Sequence, residues 1–275
     1  MATSKRFAGV ELGGTSWLLA IAVDDPQNIV AQTKIETTMP KETLDAAIAW
    51  LKTQTFDAIG IASFGPIDLN PSSSTYGYIT STPKPHWGDT EIVGVFQRAF
   101  PDTPIGFETD VNAPALYEVN HGGHGDITSA CYITVGTGVG VGVALACQAV
   151  HGHMHPEGGH VFVPQAPADR EADFNGVCPY HGGYEDPIWD TLAHYLAYLC
   201  MNLTLTVSPE VIVIGGGISK REKLFTLIRE KFEKYLNNYV TYPAVEKYIR
   251  PSFHPDIGLV SSIELARLTL LAKKN

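Results

Sequence analysis

Three apolar runs open the chain, at 7–12, 17–23 and 29–35, separated by segments short enough to be tight turns. They predict three consecutive strands, a β-meander whose first turn is Gly13-Gly14-Thr15. The period then changes. Leu44, Ala47, Ile48 and Leu51 fall at helical spacing within 43–52, and 58–63 reads as a buried strand. Residues 65–87, GPIDLNPSSSTYGYITSTPKPHW, form a long loop. Structureless loops of that length are uncommon in compact domains unless they have a function, and the aromatic content here favours an ordered binding loop. A helix at 91–99, a strand around Ile105 and a helix over 112–118 follow.

Strand patterns at 129–134 and 139–146 flank Gly136-Thr137-Gly138 and repeat the opening arrangement. The second half is therefore expected to be a version of the first. Residues 151–170 are loop-like and crowded with His, Gly and Pro. A long helix with an apolar face is predicted at 188–207, a short buried strand at 211–214, the turn Gly215-Gly216-Gly217, a helix at 223–236 and a final helix at 262–271.

The chain has 275 residues, 44% of them hydrophobic, enough for one large core or two modest ones. Its 29 Asp and Glu against 19 Lys and Arg give a field that repels polyanions, so nucleic acid is not an expected partner. No apolar run approaches the roughly 20 residues that cross a bilayer, and no signal-peptide core precedes the first strand. The expected location is the cytoplasm, with no membrane partner. Four scattered cysteines do not make a disulfide framework.

Chemistry is expected first at 104–112, PIGFETDVN. Asp110 there follows an apolar strand pattern and precedes a helix pattern, the place where open α/β folds put reactive groups. A catalytic base and a plain helix cap, worth about 1 kcal/mol, both fit that position. Three glycine turns, at 13–15, 136–138 and 215–217, each follow a strand. Glycine lets backbone N–H groups approach phosphate oxygens, and Thr15 and Thr137 add hydroxyls. One such turn is ordinary turn chemistry, whereas three point to a phosphate-binding cleft.

Taken in order, ELGGT at 11–15, SFGPIDL at 63–69, ITSTPKPHW at 79–87, ETDVNAPAL at 108–116, GTGVGVG at 136–142, HPEGGH at 155–160, CPYH at 178–181 and GGGI at 215–218 resemble the ROK family of sugar kinases. The bacterial fructokinase branch is the most similar. The resemblance covers nearly the whole chain. It implies an α/β, two-lobed, actin-like ATPase fold of ribonuclease H-like lobes, with nucleotide in the interdomain cleft. The lobes would be 1–111 plus 262–275, and 112–261.

By this resemblance Asp110 is the base that takes the proton from the sugar hydroxyl. Gly13, Gly14 and Thr15 face the ATP phosphates from one lobe, Gly136, Thr137 and Gly138 from the other, and Gly216 and Gly217 lie near the adenosine. Glu11 would sit close to Mg²⁺ or serve structurally at the strand end. Gly65, Pro66, Asn112, Glu157 and His160 correspond to sugar-contacting positions. Thr109 departs from the Asn common in glucose-preferring relatives, which favours fructose. Mannose, glucose and N-acetylhexosamine kinases, and a non-catalytic sugar sensor, are the alternatives, and a homodimer is expected.

The same resemblance makes His160, Cys178 and His181 ligands of a structural zinc, a donor set that suits the metal. It also implies a fourth ligand, a cysteine, together with a sugar-binding glutamate and a further helix before residue 188. Gly182-Gly183-Tyr184-Glu185 instead runs almost directly into the next helix pattern. A segment on the order of twenty residues is thus absent relative to that expectation. A true deletion and a natural chain longer by that segment both fit. The expense of losing both ligands favours the longer natural chain.

Overall fold

The computed structural model describes residues 4–136, 138–167 and 188–273. The meander is β1 (Arg6–Leu12), β2 (Ser16–Val23) and β3 (Ile29–Glu36), followed by helix α1 (Pro40–Leu51) and β4 (Ala58–Ser63). Every residue of β4 is buried, whereas β3 alternates between half-buried and exposed positions. Those patterns mark an interior and an edge strand. The long loop is ordered by a two-stranded ribbon, β5 (Tyr78–Ile79) with β6 (Thr90–Glu91). That pairing delays the helix expected at 91–99, and α2 spans Val93–Ala99. Strand β7 (Ile105–Thr109) and helix α3 (Asn112–His121) complete the half.

The second half contains β8 (Ala130–Val135), β9 (Val139–Leu145), β10 (Gln148–Ala149), α4 (Ile188–Thr206) and β11 (Val211–Gly216). After these come α5 (Glu222–Leu236), the short α6 (Val245–Tyr248), β12 (Ile249–Pro251) and α7 (Ile257–Ala272). The final helix thus starts at Ile257, ahead of the expected 262.

The sheets bear out the expected duplication. One runs β3-β2-β1-β4-β7 and the other β10-β9-β8-β11-β12. In each, the first three strands pair antiparallel and the last two join parallel. Separate apolar clusters cover the outer faces. Trp17, Trp87 and Phe96 lie in the first, and Leu196, Phe225 and Phe232 in the second. Between the sheets, Tyr117 of α3 and Val260 of α7 join Tyr132 and Val213 in a third cluster.

Helix α7 lies against the first sheet, and three glycines permit it. Gly9, Gly60 and Gly106 stand side by side on β1, β4 and β7. A Cβ on Gly60 would meet the Ser262 carbonyl oxygen at 2.0 Å, and one on Gly106 would meet Thr269 Oγ1 at 2.3 Å. The row forms a trough that brings helix backbone onto strand backbone.

Candidate active site

Parallel register places the chemistry. Leu12 pairs with Ser63, and Ser63 with Thr109, so β1, β4 and β7 end level. Gly13, Phe64 and Asp110 therefore follow in a row along one sheet edge, and the Asp110 N–H donates to the Ser63 carbonyl at 2.8 Å. The second sheet has a matching edge. Val135 pairs with Gly216, whose φ of +82° and close approach to the Val135 carbonyl require glycine. These edges border a cleft of about 540 Å³ whose walls include Glu11, Asp110, Gly215, Gly216, Gly217 and Asp256.

The cleft is dominated by carboxylates. Burial pushes the Asp110 pKa up to about 7, and the charges of Glu11 and Glu157 push it the same way. Glu11 is likewise raised to about 7, by burial and then by Asp256. Among the described residues of the wall, Lys220 carries the positive charge. Closely set carboxylates with so little compensating charge suit a site that receives a divalent cation. Among the described residues no group of three or more His, Cys, Asp or Glu is placed to cage a metal. Mg²⁺ does not need such a cage, since it keeps waters and shares phosphate oxygens with one or two carboxylates. Glu11 is the residue that would hold it, which leaves the Asp110 carboxylate free.

Asp110 does not cap α3. The N-cap residue is Val111, with no side-chain cap bond, and Thr109 Oγ1 accepts the Asn112 N–H at 2.9 Å. The departing Thr109 is itself buried and serves as a local brace. Asn112 is fully buried. Its Oδ1 accepts the Val143 N–H at 2.8 Å and its Nδ2 donates to Glu108 Oε1 at 3.1 Å, which ties α3 to both halves. Glu108 Oε2 also accepts from His151 Nε2 at 2.6 Å, and this bond raises the His151 pKa.

The expected sugar loop is joined to His155 of the HPEGGH stretch. Gly65-Pro66 is a cis peptide, and buried His155 Nε2 accepts the Ile67 N–H at 3.1 Å. The His155 proton is thereby assigned to Nδ1, which lies 3.6 Å from Glu157 Oε1. Glu157 also stands 3.5 Å from Nδ1 of the exposed His160. On the other side, Lys84 of the TPKPHW motif donates to the Gly14 carbonyl. The Thr37 hydroxyl donates to the Gly13 carbonyl at 2.7 Å. A Cβ on Gly14, Gly136, Gly138 or Gly217 would meet nothing within 4 Å, so these turns are open on one side. Thr137, Cys178 and His181 lie outside the described residues.

The ROK family model matches 7–188 and 186–267, in two stretches that meet near the expected missing segment. A fructokinase of Lactococcus lactis subsp. cremoris is 41% identical over 90% of this chain and 91% of its own length. One from Pediococcus pentosaceus is 36% identical, covering 95% and 97% respectively. The fold is that of a Thermus thermophilus ROK hexokinase, at a TM-score of 0.75, 22% identity, and 97% and 99% coverage of the two chains. A Streptomyces griseus ROK glucokinase, solved with glucose and AMPPNP, superposes with a TM-score of 0.75 at 20% identity, covering 96% and 99%. With an actin-like two-sheet fold, the matching family model and relatives of this identity, the chain belongs to the ROK family.

Proposed function

We propose that this protein is an ATP- and Mg²⁺-dependent hexose kinase that phosphorylates the 6-hydroxyl of D-fructose. The observation that carries the reading is Asp110, a carboxylate at the cleft edge whose pKa near 7 suits a general base at neutral pH. Similarity to fructokinases along nearly the whole chain supports fructose as the acceptor.

In this reading Asp110 takes the proton of the sugar hydroxyl as its oxygen attacks the γ-phosphorus in line. The bond from that phosphorus to the β,γ-bridging oxygen breaks and ADP leaves. Positioning supplies most of the catalysis in such transfers. The turns at 13–15 and 136–138 hold the phosphates, and 216–217 border the adenosine. Gly65, Pro66, Glu157 and His160 border the sugar. Asn112 acts by fixing the strand and helix that carry Asp110. A divalent cation held at Glu11 would neutralise charge on the phosphates.

His160, Cys178 and His181 are proposed to bind a structural zinc, and the protein to work as a homodimer. Metal analysis giving zinc near zero removes the first, and a monomeric mass by light scattering removes the second. The function is tested by an ADP-release assay across fructose, mannose, glucose and N-acetylmannosamine. Fructose is expected to give the highest kcat/KM. Another sugar in that place reassigns the substrate, and no turnover with any of them favours a sensor.

A further inference from the structure

A cavity of about 820 Å³ opens at the amino ends of β8 and β11, across the second sheet from the cleft. Arg250, Lys247 and His124 line it together with Ile127, Tyr242 and Tyr248. Two carboxylates share the wall. Glu210 accepts the N–H groups and hydroxyls of Thr128 and Ser129 on Oε2, and Glu246 offsets the charge of Arg229. Arg229 stands close enough to Arg250 to feel its charge, and among the described residues Arg250 makes no ion pair.

We propose that this cavity is a second ligand site, for a phosphate monoester, and that its occupancy reaches the nucleotide cleft through His124, Glu118 and Ser252. A guanidinium fork and an ammonium three residues apart suit the three terminal oxygens of such a group, and the apolar wall suits a small organic body. The connection is a chain of hydrogen bonds. Arg250 Nη1 donates to His124 Nδ1 at 2.8 Å, and because arginine cannot accept, the imidazole proton sits on Nε2. That nitrogen donates to Glu118 Oε2 at 2.9 Å, in a side chain with no exposed surface. Glu118 Oε1 accepts from Ser252 Oγ at 2.8 Å and from the Phe253 N–H at 3.4 Å. Ser252 and Phe253 are cleft wall. A phosphate that draws Arg250 off Nδ1 releases the far end of this chain.

The test is calorimetric titration of glycerol 2-phosphate, and separately of inorganic phosphate, into protein whose cleft is filled with a non-hydrolysable ATP analogue. Glycerol 2-phosphate is expected to bind at one site, about tenfold more weakly in Arg250→Gln and in Lys247→Gln. Lys247 is exposed, so its variant reports even where Arg250→Gln does not fold. The monoester site is overturned by no binding, by binding that neither variant weakens, or by inorganic phosphate binding as well as the ester. In assays, saturating glycerol 2-phosphate is expected to change KM for ATP about threefold or more, and not in Glu118→Gln. An unchanged KM in the unsubstituted protein overturns the coupling. The titrations need no turnover and, repeated without the analogue, stand or fall independently of the kinase reading.

Discussion

The carboxylate of Glu11 on β1 lifts the pKa of Asp110, which follows β7 on the far side of β4, adding to the effect of burial. A base must lose its proton to act, so kcat/KM should rise with pH through about 7, the pKa of Asp110. Glu11→Gln removes one negative neighbour, which favours the ionised form of Asp110. The acid limb of its pH–rate profile should move to lower pH at fixed Mg²⁺, even though its maximum falls. A limb that stays in place disproves the coupling.

Asp110→Asn should lower kcat by about 10²-fold or more while leaving nucleotide binding near normal. It should also make the ligand-free protein more stable. A carboxylate whose folded pKa is raised from 3.8 to about 7 contributes stability that is present below its unfolded pKa and is lost as pH rises through 7. At pH 8 the variant should therefore gain roughly 2 °C or more in Tm, and at pH 5 much less. A lower Tm at pH 8 contradicts the burial of that charge.

His155→Leu keeps a comparable volume but deprives the buried Ile67 N–H of its acceptor. The loss is expected to cost about 1–3 kcal/mol locally and to loosen the loop at Gly65-Pro66. KM for the sugar should rise about tenfold, with KM for ATP within about twofold. Equal changes in both constants would assign His155 to general stability.

Gly60→Ala should be destabilising, because the added methyl meets the backbone oxygen of Ser262 at 2.0 Å and the Ala266 nitrogen at 2.5 Å. Urea unfolding should show a loss of about 1–3 kcal/mol or more. A neutral result would mean that α7 sits further from the sheet.

Most strands, and Asp110 at the end of one, were legible because apolar runs reveal buried strands and the reactive edge follows from where they stop. What was hidden depended on partners remote in sequence. Asn112 looked like a sugar ligand, yet its amide bonds Val143 on the far sheet. His155 was visible within HPEGGH, but its partner Ile67 lies in another loop. The start of α7 was missed because Gly258, Ser261 and Ser262 are weak helix formers. In the fold both serine hydroxyls bond back to helix carbonyls, of Gly258 and Leu259, and the surrounding core overrides propensity.

The glycine trough on β1, β4 and β7 also has a bearing on biosynthesis. Those strands leave the ribosome well before the helix at Ile257–Ala272 that fills the trough. The amino-terminal sheet cannot close its inner face while it is being made, and must wait for sequence translated after the entire second sheet. Its completion is a late, long-range event, and the glycine-lined face stays open until that helix is made.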